Sequence, residues 1–486
     1  FSERSQTAMN LQTRFLASVL VVAAAPMVNG AEIALPYRQA IESTAVSIQL
    51  DSADILVVCS EDLPPSLEIR HTDPDHQGPI DLKIAQSEGL FGIIKTPETT
   101  DPLNVVLELT LPLDLPVVAR GRDLRIRRVC ASPAVDQASD KSPGPWTDIR
   151  ASTFELEGGS VDFRGPGKAW FQGVNNDISL SSTLGEFTFV TTDGTITIHE
   201  HLGNLKLEST NSVVSIQSLK GNLDAEVSQG RLSLAEVTGE TKCDGDQSSL
   251  DISNHNGILT VSGGQNDITI RQGFFQRFSL SGDNTRIRIT EGSGTGTLNL
   301  VGGFLNIEKW SGRLSLQARS DADLEVSEVD GDIVLSLTDG TSCNINAVSG
   351  HTRGSIEYGD LEVSDLKSIE FSAISSSITA HEIREATIFN LIDGDLAFTS
   401  TDLKGEPRID LKGTARAQIE IPAPCRVQLK GPGKNSANVE VQGCDLRRGN
   451  SPMAQRRKKS WETRRPINLT VKLSPETELR VDGLLY

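Results

Sequence analysis

The stretch GNLDAEVSQGRLSLAEVTG, residues 221–239, contains two similar segments that each begin with glycine. Each segment then places apolar residues two positions apart, as with Leu232 and Leu234. Side chains two positions apart in an extended chain point to the same face, so each segment predicts a short strand with one buried face. Two structures fit this pair of strands: a hairpin in an ordinary β domain, or one turn of a longer repeat.

Glycine recurs at a fixed interval of 18 residues around this stretch. Turn-forming residues fall midway between these glycines, and the register loosens toward Gly394. A fixed period of this length is typical of repeat proteins, in which each repeat is one structural unit. The strict register comprises Gly167, Gly185, Gly203, Gly221, Gly239 and Gly257, and the midway residues are Gly158, Asn176, Gly194, Ser212, Gly230, Ser248 and Asn266.

Proline distinguishes a solenoid from a meander of hairpins. The chain has 21 prolines, but none lies between Pro166 and Pro407. A strand that is paired on both sides needs its amide donors, and proline has none. We therefore predict an all-β protein with a parallel β-solenoid over residues 151–420. In this solenoid the glycines of the opening stretch, Gly221, Gly230 and Gly239, turn the corners, and the interior is filled by Leu223, Ala225, Leu232, Leu234 and Val237.

The flanks of the repeat predict the remaining organisation. Residues 31–150 and 421–486 contain alternating strand patterns, which we interpret as β-rich caps for the two ends of the solenoid. Residues 1–8 precede the first methionine, and residues 9–30 have the basic, apolar and small-residue regions of a signal peptide. An uncleaved anchor helix is the alternative for that segment. After cleavage we expect no transmembrane span, and we expect an exported protein that is periplasmic, at the cell surface or extracellular.

Export makes disulfides available, and the chain has six cysteines. Sequence alone allows 15 complete pairings of six cysteines. One pair lies in each flank, Cys59 with Cys130 and Cys425 with Cys444. We predict one disulfide in each flank and two buried free thiols in the repeat, Cys243 and Cys343.

The repeat and its turns resemble a known family. The sequences VSG, VDGDI and GDLEVSDL form turns of the repeat, and the C-terminal strands have the form IEIPAPCRVQLKG and VKLSPETELRVDG. These features resemble the bacterial adhesin-like domain family, exported β-solenoid proteins whose function is mostly undetermined. The resemblance covers roughly residues 150–480. It implies an envelope location and surface interactions, and it carries over no catalytic or ligand-binding residue.

Metal and cofactor sites have weak support in the sequence. A calcium-binding β-roll needs the pattern GGxGxD, and the segments GGQND and GGFLN lack it. His199 and His201 are two positions apart on an extended chain and could hold a transition metal, but they have no evident third ligand. A solvated turn is the alternative for this pair. We predict no metal and no cofactor.

A basic segment interrupts the C-terminal strand pattern. Residues 446–466 contain eight basic residues and only Glu462 as an acid, whereas the whole chain has a net charge of −19. The segment is a candidate for binding an anionic polymer or lipid headgroups, and a solvated loop is the alternative. Nucleic acid is not expected, because the rest of the chain is acidic. The basic residues are Arg447, Arg448, Arg456, Arg457, Lys458, Lys459, Arg464 and Arg465.

These observations favour a non-enzymatic interaction protein. We expect an exported, adhesin-like structural protein whose repetitive surface contacts an envelope polysaccharide or a surface protein. The alternative is an exported β-helix enzyme, a polysaccharide lyase or glycosidase. Glycoside hydrolysis needs paired carboxylates at a set separation, and the sequence shows no such pair. Carboxylates on neighbouring rungs of the solenoid could still converge, with a basic residue beside them, and that arrangement would favour the enzyme.

Overall fold

The computed structural model describes residues 37–60, 63–72, 82–87, 90–95, 105–130, 151–432, 437–448 and 467–484. These residues form a parallel β-solenoid of about 16 turns with a spacing of about 18 residues, and they contain no α-helix. The predicted fold class is confirmed. The chain divides into two compact units, Phe1–Gly221 and Asn222–Tyr486, which are described separately. The predicted domain limits at residues 30, 150 and 420 stay predictions.

Unit 1 is built from parallel strands with an antiparallel part near its beginning. From β8 to β12 each strand pairs in parallel with the next. Parallel pairs also join β2 to β6 and β8, and β3 to β7 and β8, whereas β1–β4, β4–β7 and β5–β6 are antiparallel. Its strands are β1 (Tyr37–Ala40), β2 (Val46–Gln49), β3 (Asp54–Cys59), β4 (Ser66–His71), β5 (Leu82–Ser87), β6 (Leu90–Lys95), β7 (Val105–Leu111), β8 (Val117–Cys130), β9 (Ser152–Val174), β10 (Asp177–Thr192), β11 (Thr195–Thr210) and β12 (Val213–Lys220).

One rung of unit 1 shows how the sequence period becomes a coil. Strand β10 has two stretches, residues 177–181, which we call face A, and residues 186–192, which we call face B. Alternate residues on both faces point inward, and β11 repeats the arrangement with a register of 18 residues, as Asp177 with Thr195. The buried residues of these two faces include Ile178, Leu180, Phe187 and Phe189.

The strict glycine register has a steric cause. Gly203 has a φ of 135°, and a Cβ at this residue would lie 2.0 Å from the carbonyl oxygen of Gly185. In unit 2, a Cβ at Gly257 would lie 2.2 Å from the carbonyl oxygen of Gly239. Successive rungs therefore meet backbone to backbone at this corner. Only glycine leaves room for that approach and accepts the positive φ.

At the other corners, polar residues adopt the positive φ. The expectation that Gly230 itself makes the turn is corrected, because the residue before it has the positive φ. The preceding residue, Gln229, has a φ of 54°, and Glu236 has a φ of 56°. The midway residues other than glycine contribute buried polar side chains: Asn266 Nδ2 donates a hydrogen bond to the carbonyl of Gly245 at 2.8 Å. The left-handed corner residues recur in two series, Asn175, Asp193, Asn211, Gln229, Gln247 and Gln265, and Ser182, Glu200, Ser218, Glu236, Asn254 and Gln272.

Unit 2 is built from rungs with the same two faces; for example, residues 249–253 lie on face A and residues 258–264 on face B. The residues predicted to fill the interior of the opening stretch are all buried, which confirms that prediction. Its strands are β13 (Leu223–Ser228), β14 (Arg231–Asp246), β15 (Ser249–Ser253), β16 (Asn256–Gly264), β17 (Asp267–Arg319), β18 (Asp323–Asp330), β19 (Ile333–Thr338), β20 (Ser342–Glu357), β21 (Asp360–Ile374), β22 (Ser377–Ile383), β23 (Thr387–Ile392), β24 (Asp395–Thr399), β25 (Arg408–Lys412), β26 (Arg416–Pro422), β27 (Cys425–Lys430), β28 (Asn438–Gln442), β29 (Asp445–Arg448), β30 (Ile467–Leu473) and β31 (Glu478–Leu484).

The last rungs of unit 2 do not follow the order of the chain. On face B, β25 pairs with β30 and β30 pairs with β27. On face A, β26 pairs with β31 and β31 pairs with β28. The final strands of the chain therefore lie between two rungs that precede them in sequence. We call residues 467–484 the inserted rung.

Candidate functional site

Two outward columns on face B of unit 2 contain no charged residue across five consecutive rungs. Thr260 pairs in register with Ser279, and Ser315 pairs with Val334. The close approach of Gly294 to Phe275 and of Gly312 to Gly294 places Thr297 in the same column. A second column runs beside the first, two residues further along each strand. We call the two columns the uncharged strip: Thr260, Ser279, Thr297, Ser315 and Val334 in the first, and Ser262, Ser281, Asn299, Gln317 and Ser336 in the second.

Charged residues mark the ends of the strip. The second column stays uncharged through Ser355, Ser372 and Asn390, whereas the first column becomes charged at Arg353 and Glu370. At one end, Ser262 Oγ donates a hydrogen bond to Asp244 Oδ1 at 3.2 Å. At the other end, the column is closed by a salt bridge between Lys472 Nζ and Asp410 Oδ2 at 3.2 Å.

The polar groups of the strip are available to a partner. Among the described residues, Ser262 is the only strip residue whose side chain is hydrogen-bonded to another protein group. Hydroxyl and amide groups both donate and accept hydrogen bonds. Neighbouring rungs place these groups at intervals of about 4.8 Å, the spacing of strands in a sheet. The strip is therefore a repeating array of neutral donors and acceptors.

Two exposed aromatic residues flank face B. Phe274 is 62% exposed and lies at the corner that leads into face B of its rung, just before Arg277. Tyr358 is 57% exposed and follows face B of a later rung, next to Glu357. Large exposed aromatic side chains offer apolar area with a defined ring orientation. They extend the surface on which a flat polar ligand could lie.

A charged groove lies on face A of the last rungs. Its volume is about 420 Å³. Arg416 Nε and Glu478 Oε2 form a salt bridge of 3.4 Å within it. Ala397 lies among larger polar residues of the groove lining, and its small side chain leaves part of the groove open. The groove is lined among others by Ala397, Arg416, Gln418, Glu440, Glu478 and Arg480.

Two carboxylate residues occupy stacked positions on adjacent rungs next to the residues that line this groove. Glu420 on β26 and Asp482 on β31 are register partners, although 62 residues separate them in sequence. Arg480 Nε donates a hydrogen bond to Asp482 Oδ2 at 3.0 Å, and Gln418 Nε2 donates one to Glu420 Oε1 at 3.2 Å. Two carboxylates with a basic neighbour are the arrangement that a carbohydrate-active enzyme would need.

The two histidines considered as a metal pair do not face each other. Glu200 between them has a φ of 57°, which turns the chain, so the side chain of His199 is 50% exposed while His201 is 2% exposed. The expectation of two imidazoles on one side of an extended chain is therefore wrong, and so is the alternative of a solvated turn for His201. Among the described residues, no group of histidine, cysteine, aspartate and glutamate side chains has the geometry of a metal site.

Two histidines belong to the apolar interior. His201 Nδ1 lies 2.9 Å from Thr183 Oγ1, and His255 Nε2 lies 3.0 Å from Thr241 Oγ1. The second nitrogen of each ring has no hydrogen-bond partner. Burial lowers the pKa of His201 and of His255 to about 4 each. Both imidazoles are therefore neutral at physiological pH, and they occupy the interior position that leucine or valine holds in other rungs.

Unit 1 also buries a cationic group. The guanidinium of Arg128 lies over the ring of Phe163, 4.8 Å from its centroid, and Nη1 donates a hydrogen bond to Ser152 Oγ at 3.0 Å. Burial lowers the pKa of Arg128 to about 10. The burial of Arg128 is not evident from the sequence, because this residue lies in an alternating strand whose other arginines point outward.

The cysteine predictions are confirmed. Disulfides join Cys59 to Cys130 and Cys425 to Cys444, with Cα–Cα distances of 4.6 and 4.8 Å. These distances equal the spacing of adjacent strands, because each bridge joins stacked positions on neighbouring rungs. Cys243 and Cys343 are free and buried, and burial is the main reason that the pKa of each thiol is raised to about 12.

The basic segment lies mostly outside the described residues. Arg447 and Arg448 are the last residues of β29. The remaining six candidates for polyanion binding, Arg456, Arg457, Lys458, Lys459, Arg464 and Arg465, lie outside the described residues, so polyanion binding stays a prediction.

In comparisons with known protein families, curated proteins and solved structures, the chain has no match. In the ranges that the structure describes, no helix is both long enough and apolar enough to cross a membrane.

Proposed function

We propose that this chain is an exported, adhesin-like interaction protein that binds a neutral, hydroxyl-rich polysaccharide along the uncharged strip. The observation that carries the proposal is the run of five rungs without a charged residue in either strip column. The whole chain is 23% charged, so an uncharged run of this size is a specific feature of these two columns.

The chemistry of the strip favours a glycan over a charged ligand. A neutral polysaccharide presents hydroxyls that donate and accept hydrogen bonds, as the strip side chains do. A regular polymer can contact several rungs at once, and linked weak contacts add to a high overall affinity. The two disulfides support an oxidising, exported location, since such bridges persist mainly outside the cytosol.

A binding assay with a matched control tests this proposal. The full chain, a strip variant Ser281→Glu/Asn299→Glu and a face A variant Thr269→Glu/Thr290→Glu are incubated with a panel of insoluble neutral polysaccharides. We expect the full chain and the face A variant to bind at least one polymer equally. We expect the strip variant to bind at least about tenfold more weakly, equivalent to about 1.4 kcal/mol. Equal binding by all three proteins, or binding by none, would contradict the proposal.

The second candidate is an exported carbohydrate-active enzyme, supported by the pairing of Glu420 with Asp482 beside the groove. The register of β26 and β31 brings their Cα atoms to about 4.8 Å, which is compatible with the separation of about 5 Å between the carboxyls of retaining glycosidases. The test is release of reducing sugar from the same polysaccharide panel. Activity that is lost in both Glu420→Gln and Asp482→Asn would favour the enzyme over the binding protein.

A further inference from the structure

We propose that the slot occupied by the inserted rung is a strand-exchange site, which can take residues 467–484 from a second copy of this chain. The inference is independent of glycan binding on the uncharged strip. It rests on the pairing, side-chain contacts and connectivity of the last rungs of unit 2.

The slot provides two sheet edges that both need a partner. β30 pairs with β25 on one side and with β27 on the other, and β31 pairs with β26 and β28 in the same way. Removal of the inserted rung would leave the backbone donors and acceptors of all four flanking strands unpaired on that side. It would also uncover an apolar layer, whose inserted members are Leu469, Val471, Leu473, Leu479 and Val481, each at most 2% exposed.

Side-chain contacts make the slot selective for this segment. Asn468 Nδ2 donates a hydrogen bond to Glu406 Oε1 at 2.9 Å. Lys472 Nζ lies 3.2 Å from Asp410 Oδ2, and Glu478 Oε2 lies 3.4 Å from Arg416 Nε. These contacts combine one amide–carboxylate hydrogen bond and two ion pairs with the in-register apolar layer. The segment that satisfies all of them is residues 467–484, whether it comes from the same chain or from another copy.

The connectivity allows either source. In the part of unit 2 that precedes the slot, consecutive rungs are joined directly, as β22 to β24 through β23, so each of these rungs pairs within its own chain. At the slot, the chain passes directly from Pro422 of β26 to Cys425 of β27. One position is thereby left open between β25 and β27 on face B, and one between β26 and β28 on face A. Residues 449–466 then separate β29 from β30, a stretch of 18 residues with a contour length of at most about 60 Å. A connection of that length permits exchange of an identical element between copies, the general route of domain swapping.

Mixtures of full-chain variants that each carry one added cysteine test the proposal. Asp410 and Lys472 are register partners on β25 and β30, so Asp410→Cys on one chain and Lys472→Cys on another become stacked neighbours when the inserted rung comes from the second copy. Ser372 and Asn390 are register partners on β21 and β23 in the uninterrupted part of unit 2, and Ser372→Cys mixed with Asn390→Cys is the matched control. Each mixture is concentrated, warmed below the unfolding transition and then oxidised. Covalent dimers are counted on a non-reducing gel.

We expect the Asp410→Cys and Lys472→Cys mixture to give at least about tenfold more dimer than the control mixture. Peptide mapping should place the new disulfide between residues 410 and 472. Sedimentation of the unmodified chain after the same warming should show a dimer whose fraction rises with concentration. Equal dimer yields in the two mixtures, or no dimer in either, would overturn the proposal.

Discussion

Face A and face B of unit 2 are built on the same rungs but present different chemistry. Between residues 249 and 338, the middle outward column of face A contains Asp251, Thr269, Arg288, Asn306 and Glu325, whereas the uncharged strip on face B has no charge in either column. The inward residues of the two faces do not differ in this way: Leu250 on face A and Leu259 on face B are both fully buried. The two faces therefore differ in their outward, solvent-facing residues.

This difference separates the requirements of folding from those of recognition. Stacking of the rungs depends on the interior columns and on the glycine corner, and these are alike on both faces. Outward positions face solvent and are not needed for stacking, and an exposed strand surface usually carries charged residues. Under the proposed function, the absence of charge in the two strip columns reflects contact with a partner.

Truncation of the interior should destabilise both faces to the same degree. Leu250→Ala and Leu259→Ala each remove buried methyl groups and leave a cavity, and we expect each to lower the free energy of unfolding by about 2–5 kcal/mol. Urea unfolding followed by the fluorescence of buried Trp310 in the same unit measures the loss. Glycan affinity of the folded variants should stay unchanged. A near-neutral effect on one face would show that the two interiors are not equivalent.

Acid should destabilise unit 2 through His255, at the corner between the two faces. The pKa of His255 is about 4 in the folded protein, below the ordinary value of 6.5, so the unfolded chain binds the proton first as the pH falls. Stability should decrease from about pH 6.5 down to about pH 4 and lose about 3 kcal/mol from this group. In His255→Leu this contribution should disappear from urea unfolding measured across that range. An identical pH profile in the variant would contradict the neutral, buried imidazole.

Loss of the exposed aromatic ring beside face B should weaken binding moderately. Phe274→Ala is expected to reduce glycan affinity by about three- to tenfold, because an aromatic contact contributes about 0.5–1.5 kcal/mol. Phe304→Ala, which removes a ring from face A, is the control and should leave affinity unchanged. Isothermal titration with a soluble glycan measures both. Equal losses in the two variants would remove the distinction between the faces.

Extension of the uncharged strip should strengthen binding slightly. Arg353 and Glu370 are register partners that continue the first strip column, and Arg353→Ser/Glu370→Ser makes it uncharged without a change in net charge. We expect affinity to rise by about two- to fourfold, since each added contact contributes about 0.5–1 kcal/mol. The control Arg288→Ser/Glu325→Ser removes the same charges from face A. A gain in the control, or none in the strip variant, would count against a face-specific site.

The glycine period, the alternating apolar residues and the proline-free block are sufficient to predict the rungs, because backbone contact at Gly203 and burial at Leu232 depend on local residue type. The corners at Gln229 and Glu236 could not be predicted in this way, since both residue types are common on strand surfaces and seldom adopt a positive φ. The position of the inserted rung could not be predicted either. β25, β27 and β30 share one alternating pattern, so the sequence does not show which of these strands pair.

The uncharged strip could not be found from the linear sequence for a different reason. Its members, such as Ser281 and Asn299, lie about one turn apart in the chain and become neighbours only through the register of the rungs. An extra residue at Gln276 shifts that register between β16 and β17, so a fixed period of 18 residues would misalign the columns. The pairing of Glu420 with Asp482 could not be predicted from the sequence either, because it depends on the position of the inserted rung.

The most direct test of the central claim is the salt dependence of binding to matched neutral and carboxylated forms of one soluble polysaccharide. The uncharged strip predicts preference for the neutral form and an affinity that changes by less than about twofold between low and high salt, because salt screens only charged contacts. That affinity should fall in Ser281→Glu/Asn299→Glu. Preference for the carboxylated form, with affinity that falls at least about tenfold in high salt and is unchanged in this variant, would contradict the account.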